Sequence, residues 1–167
     1  MVEKASKYGY SLLITVDNGI TALEPARQAK ALGVDVIITD HHRPHAELPD
    51  ACAIVDPNQD GCSYPYKKLA GVGVTFKIVS LVYEMMKKPL PEKVYELLML
   101  GTVADVVPLT EENRFWVRHG LAQVNSCRSL AMSVLAANNN VVKSRLGSLD
   151  IGFMIAPQIN ALGRLDD

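Results

Sequence analysis

Cysteine is scarce in this 167-residue chain. There are three, Cys52, Cys62 and Cys127, odd in number and never spaced as C-x-x-C. That pattern excludes a disulfide framework and points to a reducing compartment, with the cytoplasm as the expected location. An excess of charge of one sign is also lacking. With a formal net charge of −1, the overall balance advertises no polyanionic partner, so any grip on nucleic acid has to be local. Aromatic residues make up only 6% of the chain. Tyr64, Tyr66, Phe76, Tyr83, Tyr95 and Trp116 are scattered and lie mostly on apolar faces, which does not build a stacking platform for bases. No apolar run approaches the roughly 18 residues of a membrane span, and the N-terminus lacks the basic-then-apolar layout of a signal peptide. Internal repeats and low-complexity tracts are absent as well. What is there, 49% hydrophobic and 21% charged, is a globular chain long enough to bury a core.

The first sixty residues alternate strand and helix. Leu12 to Val16 reads as a strand running into Asp17-Asn18-Gly19, an acid followed by a turn pair. Thr21-Ala22-Leu23-Glu24 has capping-box spacing, the stripe Ala22, Ala26, Ala29 and Leu32 suits close packing on a sheet, and Gly33 is the expected helix stop. Asp35 to Thr39 is the next strand and Ala51 to Val55 a third, ended by Asp56-Pro57-Asn58. A βαβ unit with so short a helix forces parallel pairing, so the fold class is α/β with an open, Rossmann-like parallel sheet followed by a helical segment. From Gly71 the period turns helical. Val72, Phe76, Val79, Val82 and Met86, widened by Val74, Ile78, Leu81 and Met85, predict a largely buried helix. Pro91 suits the start of a helix ending at Leu100, with Val94, Leu97, Leu98 and Leu100 inward and a break at Gly101-Thr102. Shorter helices are predicted over 113–126, 129–137 and 149–155, with a turn at 138–140. The organisation expected is a sheet-bearing domain over 1–108 and a helical remainder over 109–167.

Chemistry concentrates at the strand exits. Asp40-His41-His42 ends the second strand, and ligands in open α/β sheets collect beyond the carboxyl ends of the strands. With parallel neighbours, Asp17 faces Asp40 and His41. Asp105 adds a lone acid within the apolar segment Val103 to Pro108. Carboxylates with imidazole suit Mn²⁺ or Mg²⁺ better than thiolate-rich sets, and two such ions would clamp a phosphate ester for in-line displacement by water. The plainer reading makes Asp17 and Asp40 turn and cap acids, and His41 and His42 loop histidines. A zinc site of His41, His45, Cys52 and Cys62 is the other metal reading, but its ligands do not come as close pairs. Gly71-Val72-Gly73 lacks the lysine of a phosphate loop and reads as a helix start against the sheet. In Asn160-Ala161-Leu162-Gly163-Arg164 an arginine can meet a phosphate, or simply face solvent.

These residues carry a resemblance. Asp40-His41-His42 sits between Ile14-Thr15-Val16-Asp17-Asn18-Gly19 and Ile54-Val55-Asp56-Pro57-Asn58-Gln59, with Leu69-Ala70-Gly71-Val72-Gly73-Val74, Gly101 to Leu109, and Ile155-Ala156-Pro157 through Gly163-Arg164 beyond. The wording resembles the DHH phosphoesterase superfamily and, within it, the RecJ-like single-stranded-DNA-specific exonucleases. The resemblance implies that Asp17, His41 and Asp105 are ligands of a Mn²⁺ or Mg²⁺ centre, which Asp40 supports from behind. It implies that His42 meets the scissile phosphate as electrostatic stabiliser or proton donor, and that Arg164 and Asn160 hold a DNA phosphate. Gln158 stands where the resemblance leads one to expect arginine, and Leu162 where it leads one to expect a smaller residue. The activity implied is 5′ to 3′ hydrolysis of single-stranded DNA in repair and recombination, with replication or repair proteins as further partners. Related superfamily activities act on short oligonucleotides, cyclic dinucleotides or pyrophosphate, and a non-catalytic scaffold is the remaining alternative.

The superfamily's first motif, a strand-borne Asp-x-Asp pair supplying further ligands, is missing from residues 1–16. The expectation is therefore an internal piece of a longer protein, truncated on the N-terminal side of its sheet. Weak metal binding, little nuclease activity and exposed sheet edge follow for the chain alone.

Overall fold

The computed structural model describes residues 1–139, 141 and 144–165, without the side chains of 162–165. The chain divides into two compact units, Met1–Ile78 and Val79–Asp167. In the first, α1 (Val2–Lys7) leads to β1 (Leu12–Val16), α2 (Leu23–Ala31), β2 (Asp35–Thr39) and β3 (Ala53–Val55). The three strands form a sheet of order β1-β2-β3 with both pairs parallel, as the α/β reading predicts. Register aligns Val16 with Thr39 and Thr39 with Val55, so all three strands end at one level and Asp17, Asp40 and Asp56 leave the sheet together.

The core of this unit follows from the alternation along β2. Val36 and Ile38 pack with Ala29 of α2 and with Val34, and Leu13 and Ile54 close the cluster from the flanking strands. Ile38 is 1% exposed, and full burial of such a side chain contributes about 1.5–3 kcal/mol. Ala26 and Ala29 are the buried small residues that let α2 lie close to the sheet. Gly33 takes φ +70 just past the helix end, the left-handed conformation that glycine adopts without a steric penalty.

The start of α2 departs from prediction. Its N-cap is Ala22 and no side chain caps it, because the preceding backbone is held elsewhere: the Ile20 N–H donates to Asp40 Oδ2 at 3.0 Å. The third strand is also shorter than its apolar run. α3 (Gly71–Met85) begins where expected, but only its first turns are buried, at Gly71, Gly73, Val74 and Phe76. Leu81, Val82, Met85 and Met86 are exposed. Periodicity shows which face is apolar and not what covers it.

The second unit is helical: α4 (Lys93–Ala104), α5 (Glu111–Ser126), α6 (Leu130–Asn138), α7 (Ser148–Asp150), a π-helical turn Ile151–Ile155, and α8 (Ala156–Leu165). Its core centres on Met99, Val117, Val124, Met132, Ile151 and Ile155. The predicted break at Gly101-Thr102 is absent, because Leu98, Met99, Leu100 and Thr102 are all buried on α4. Burial of those side chains outweighs the roughly 1 kcal/mol that an interior glycine costs a helix. Leu97, predicted inward, is exposed. The last predicted helix does not stop at residue 155 but continues through Pro157 to Leu165. A widened π turn directly precedes the proline, the kind of local adjustment by which a helix takes in a residue with no N–H.

Candidate metal centre

Three backbone segments of the first unit build one cluster. The ladder between β1 and β2 runs one step past the strands, with the Asp17 N–H donating to the Thr39 carbonyl at 2.9 Å. Asp17 itself turns to φ +64, a left-handed conformation that aspartate tolerates better than most residues and that collects at functional sites. The turn is braced. Thr15 Oγ1 donates to the Asn18 carbonyl at 2.6 Å, and Asn18 Nδ2 to the Val16 carbonyl at 3.0 Å. Gly19, at φ +108, leaves room that a Cβ would take from Thr15 Oγ1, 2.8 Å away.

Asp40 organises the neighbouring exit and is 1% exposed. Its Oδ1 accepts the N–H groups of His41 (2.8 Å) and His42 (3.2 Å) and the Nδ1–H of His42 (2.7 Å), while Oδ2 accepts from Ile20. Burial by itself raises its pKa, yet these donors from Ile20, His42 and His41 together hold it below the usual carboxylate value. Asp40 is thus an ionised hub turned inward, which fixes the loop and sets the ring of His42.

His41 is set from its other side. Its Nδ1 lies 2.9 Å from the carbonyl of Leu69, an acceptor only, so Nδ1 donates there and Nε2 is the ring atom left to face Asp17. That Nε2 is buried and stands 3.0 Å from Asp17 Oδ1 without hydrogen-bond geometry. An imidazole nitrogen and a carboxylate oxygen at this distance are a donor pair that a cation can share. One donor atom each from Asp17, His41 and His42 lies within 4.8 Å of the others. An oxygen and two imidazole nitrogens fit Mn²⁺ or a similar divalent ion, and the carbonyl behind His41 and carboxylate behind His42 are the orienting partners that metal-bound histidines carry.

Gly71 completes the cradle. A Cβ there would fall 2.2 Å from Asp17 Oδ1, so the first residue of α3 must be glycine for the carboxylate to lie where it does. The sequence reads this glycine as a helix start against the sheet but not as the floor of the cluster. It also misses Asn58, whose Nδ2 donates to the His41 carbonyl at 2.6 Å while its own N–H donates to Asp56 Oδ1 at 2.7 Å. Asp-Pro-Asn turn chemistry was the available signal; the partner lies 17 residues away.

The predicted residues Asp105, Asn160 and Arg164 belong to the second unit. Asp105 is the C-cap of α4 in the second unit. It is exposed at the helix end and is followed by Val106 at φ +59. Asn160 is exposed on α8, whereas the side chain of Arg164 lies outside the described residues. Gln158 donates to the carbonyls of Leu135 and Met154 and so joins α8 to α6. Cys52 and Cys62 are free thiols and belong to no metal-type cluster among the described residues.

The chain is similar to known proteins. The model of the DHH family, N-terminal domain, matches residues 2–102. The chain is 45% identical over 158 residues to the single-stranded-DNA-specific exonuclease RecJ of Bacillus subtilis, covering 95% of this chain and 20% of that protein. It is 39% identical over 180 positions to RecJ of Salmonella typhimurium, covering 100% of this chain and 31% of the relative. Among solved structures, RecJ of Thermus thermophilus in complex with Mn²⁺ superposes with a TM-score of 0.82 at 33% identity, over 98% of this chain and 24% of that one. An exonuclease RecJ bound to manganese gives 0.81 at 32% identity, over 98% and 42%. The chain therefore spans less than a third of the length of these two curated relatives.

Proposed function

Because the chain belongs to the DHH family, we propose that it is the metal-binding part of a divalent-cation-dependent exonuclease that hydrolyses phosphodiester bonds of single-stranded DNA from the 5′ end, in repair and recombination. The observation that carries this reading is the pairing of a tautomer-fixed His41 Nε2 with the Asp17 carboxylate at 3.0 Å. Asp17 and His41 would hold Mn²⁺ or Mg²⁺, with His42 beside the ion. When bound, such an ion supplies Lewis-acid polarisation of a phosphoryl oxygen and acidifies water. The protein's own contribution is orientation. Asp40 fixes the proton of His42 on Nδ1 and keeps that ring turned toward the cluster, where it meets the scissile phosphate. Leu69 and Asn58 hold the backbone and ring of His41. Asp105, Asn160 and Arg164 enter the proposal through the resemblance alone, the first as a ligand and the others on a DNA phosphate. A cytoplasmic location agrees with three free cysteines, and replication or repair proteins are the partners that this activity brings with it.

Three donors make one ion site and not the carboxylate-rich pair that two-metal phosphoester chemistry needs. The chain by itself is therefore proposed to bind Mn²⁺ weakly and to digest DNA slowly. Calorimetric titration with Mn²⁺ tests the reading. One weak site is expected, lost in Asp17→Asn and in His41→Ala and weakened in Asp105→Asn. Unchanged binding in the first two variants would refute it, and rapid manganese-dependent digestion of 5′-phosphorylated single-stranded DNA by the chain would refute the slow-turnover part.

A further inference from the structure

Beside the cluster, on the same side of the sheet, lies a recess of about 470 Å³ lined by Arg43, His45, Pro57, Asn58, Asp60 and Lys67 among others. That volume is within the range of about 300–1,000 Å³ common to small-ligand sites. It shares a wall with the cluster in two ways: Arg43 directly follows His42 in the chain, and Asn58 bonds the His41 carbonyl.

The recess is built around a held cation. Lys67 Nζ donates to the carbonyls of Pro57 at 2.6 Å and Cys62 at 2.7 Å, so two of its three N–H groups fix the ammonium in the wall of the recess. Arg43 and His45 are exposed and, among the described residues, make no hydrogen bond or ion pair. An ammonium, a guanidinium and a histidine thus line the recess with a single carboxylate, Asp60. A fixed ammonium beside an unengaged guanidinium is a match for a phosphate.

We propose that the recess lined by Arg43 and Lys67 is a second phosphate subsite, which holds a phosphodiester of the single-stranded substrate adjacent to the one placed at Asp17, His41 and His42. This rests on the reading of single-stranded DNA as substrate and adds where the strand goes: over Asn58 and into the recess. It also gives this nearly neutral chain the local anion grip that its composition requires.

The test is ¹H–¹⁵N NMR of the intact chain in Mg²⁺, titrated with 5′-phosphorylated thymidine dinucleotide and, in a parallel arm, with inorganic phosphate. Saturable shifts at Gln59, Asp60 and Lys67 are expected with the dinucleotide and not with phosphate at the same concentration. Arg43→Gln, which removes the guanidinium without adding a carboxylate beside the cluster, should weaken dinucleotide binding about tenfold and leave Mg²⁺ binding in place. Arg43 is exposed and unbonded, so the variant folds, and His45→Gln gives a milder second case. Shifts confined to residues 17–42, or Arg43→Gln binding as tightly as the parent, overturn the subsite and leave the DNA reading standing. Equal response to inorganic phosphate overturns its assignment to a strand. Shifts in neither the recess nor the cluster overturn both.

Discussion

Gly71 shows how one missing side chain supports a site. The Asp17 carboxylate occupies the space in which any Cβ at position 71 would sit, 2.2 Å from Oδ1 and 2.5 Å from Cγ. Gly71→Ala should therefore displace Asp17 and weaken Mn²⁺ binding nearly as far as Asp17→Asn does, with a stability loss of about 1–3 kcal/mol typical of overpacking. Calorimetric titration and thermal unfolding of the same sample separate the two effects. Unaltered metal affinity in Gly71→Ala would show that the carboxylate has room to move. Asp17, His41 and His42 could be singled out from the sequence because two strand exits carry acids and imidazoles together, although each residue alone also suits a turn, a cap or a loop. The Leu69 carbonyl was not legible, since every residue carries one and only the tertiary path decides which carbonyl meets His41.

At the level of elements, strands were easier to read than helix ends. β1 and β2 came out as expected because short apolar runs and turn residues agree locally, while α4 ran through Gly101 because burial along it overrides propensity. The helix pair α4 and α5 depends on another glycine. A Cβ on Gly120 would lie 2.6 Å from the Tyr95 carbonyl and 2.4 Å from Met99 Cβ, and neither a helix backbone nor the root of a fully buried side chain can yield cheaply. Gly120→Ala should lower stability by about 1–3 kcal/mol, despite alanine's better helix propensity, as read by urea unfolding. A gain in stability instead would mean that the two helices separate without cost.

For the whole molecule, two buried carboxylates at adjoining strand ends act on stability in opposite directions. Asp40 is held below its ordinary pKa, so its contribution is in place above the unfolded value near 4 and fades as pH falls through the lower folded value. Asp56 is pushed up by burial, to which the Asp40 charge adds against the Asn58 N–H. Stability linked to Asp56 is complete below the unfolded value and lost as pH rises through the folded one. Asp40→Asn should cost about 1–3 kcal/mol at pH 7, with the gap to the parent closing in acid. Asp56→Asn, which keeps an acceptor for Asn58, should stabilise at pH 7 and be neutral below pH 4. Denaturant unfolding across pH 3–8 checks both; parallel curves for parent and variants would contradict the assignment.

The sequence by itself determined the α/β class, the parallel sheet and the residues able to bind a metal, because period, turn chemistry and ligand type are local properties of the chain. Only the tertiary structure decided that Asp40 faces inward as a hub while Asp17 and His41 face each other, that Gly71 makes room for a carboxylate 54 residues away, and that Arg43 and Lys67 share a recess. Those outcomes depend on strand register and on which backbone groups come within hydrogen-bond reach across the fold, and neither is encoded at any one position.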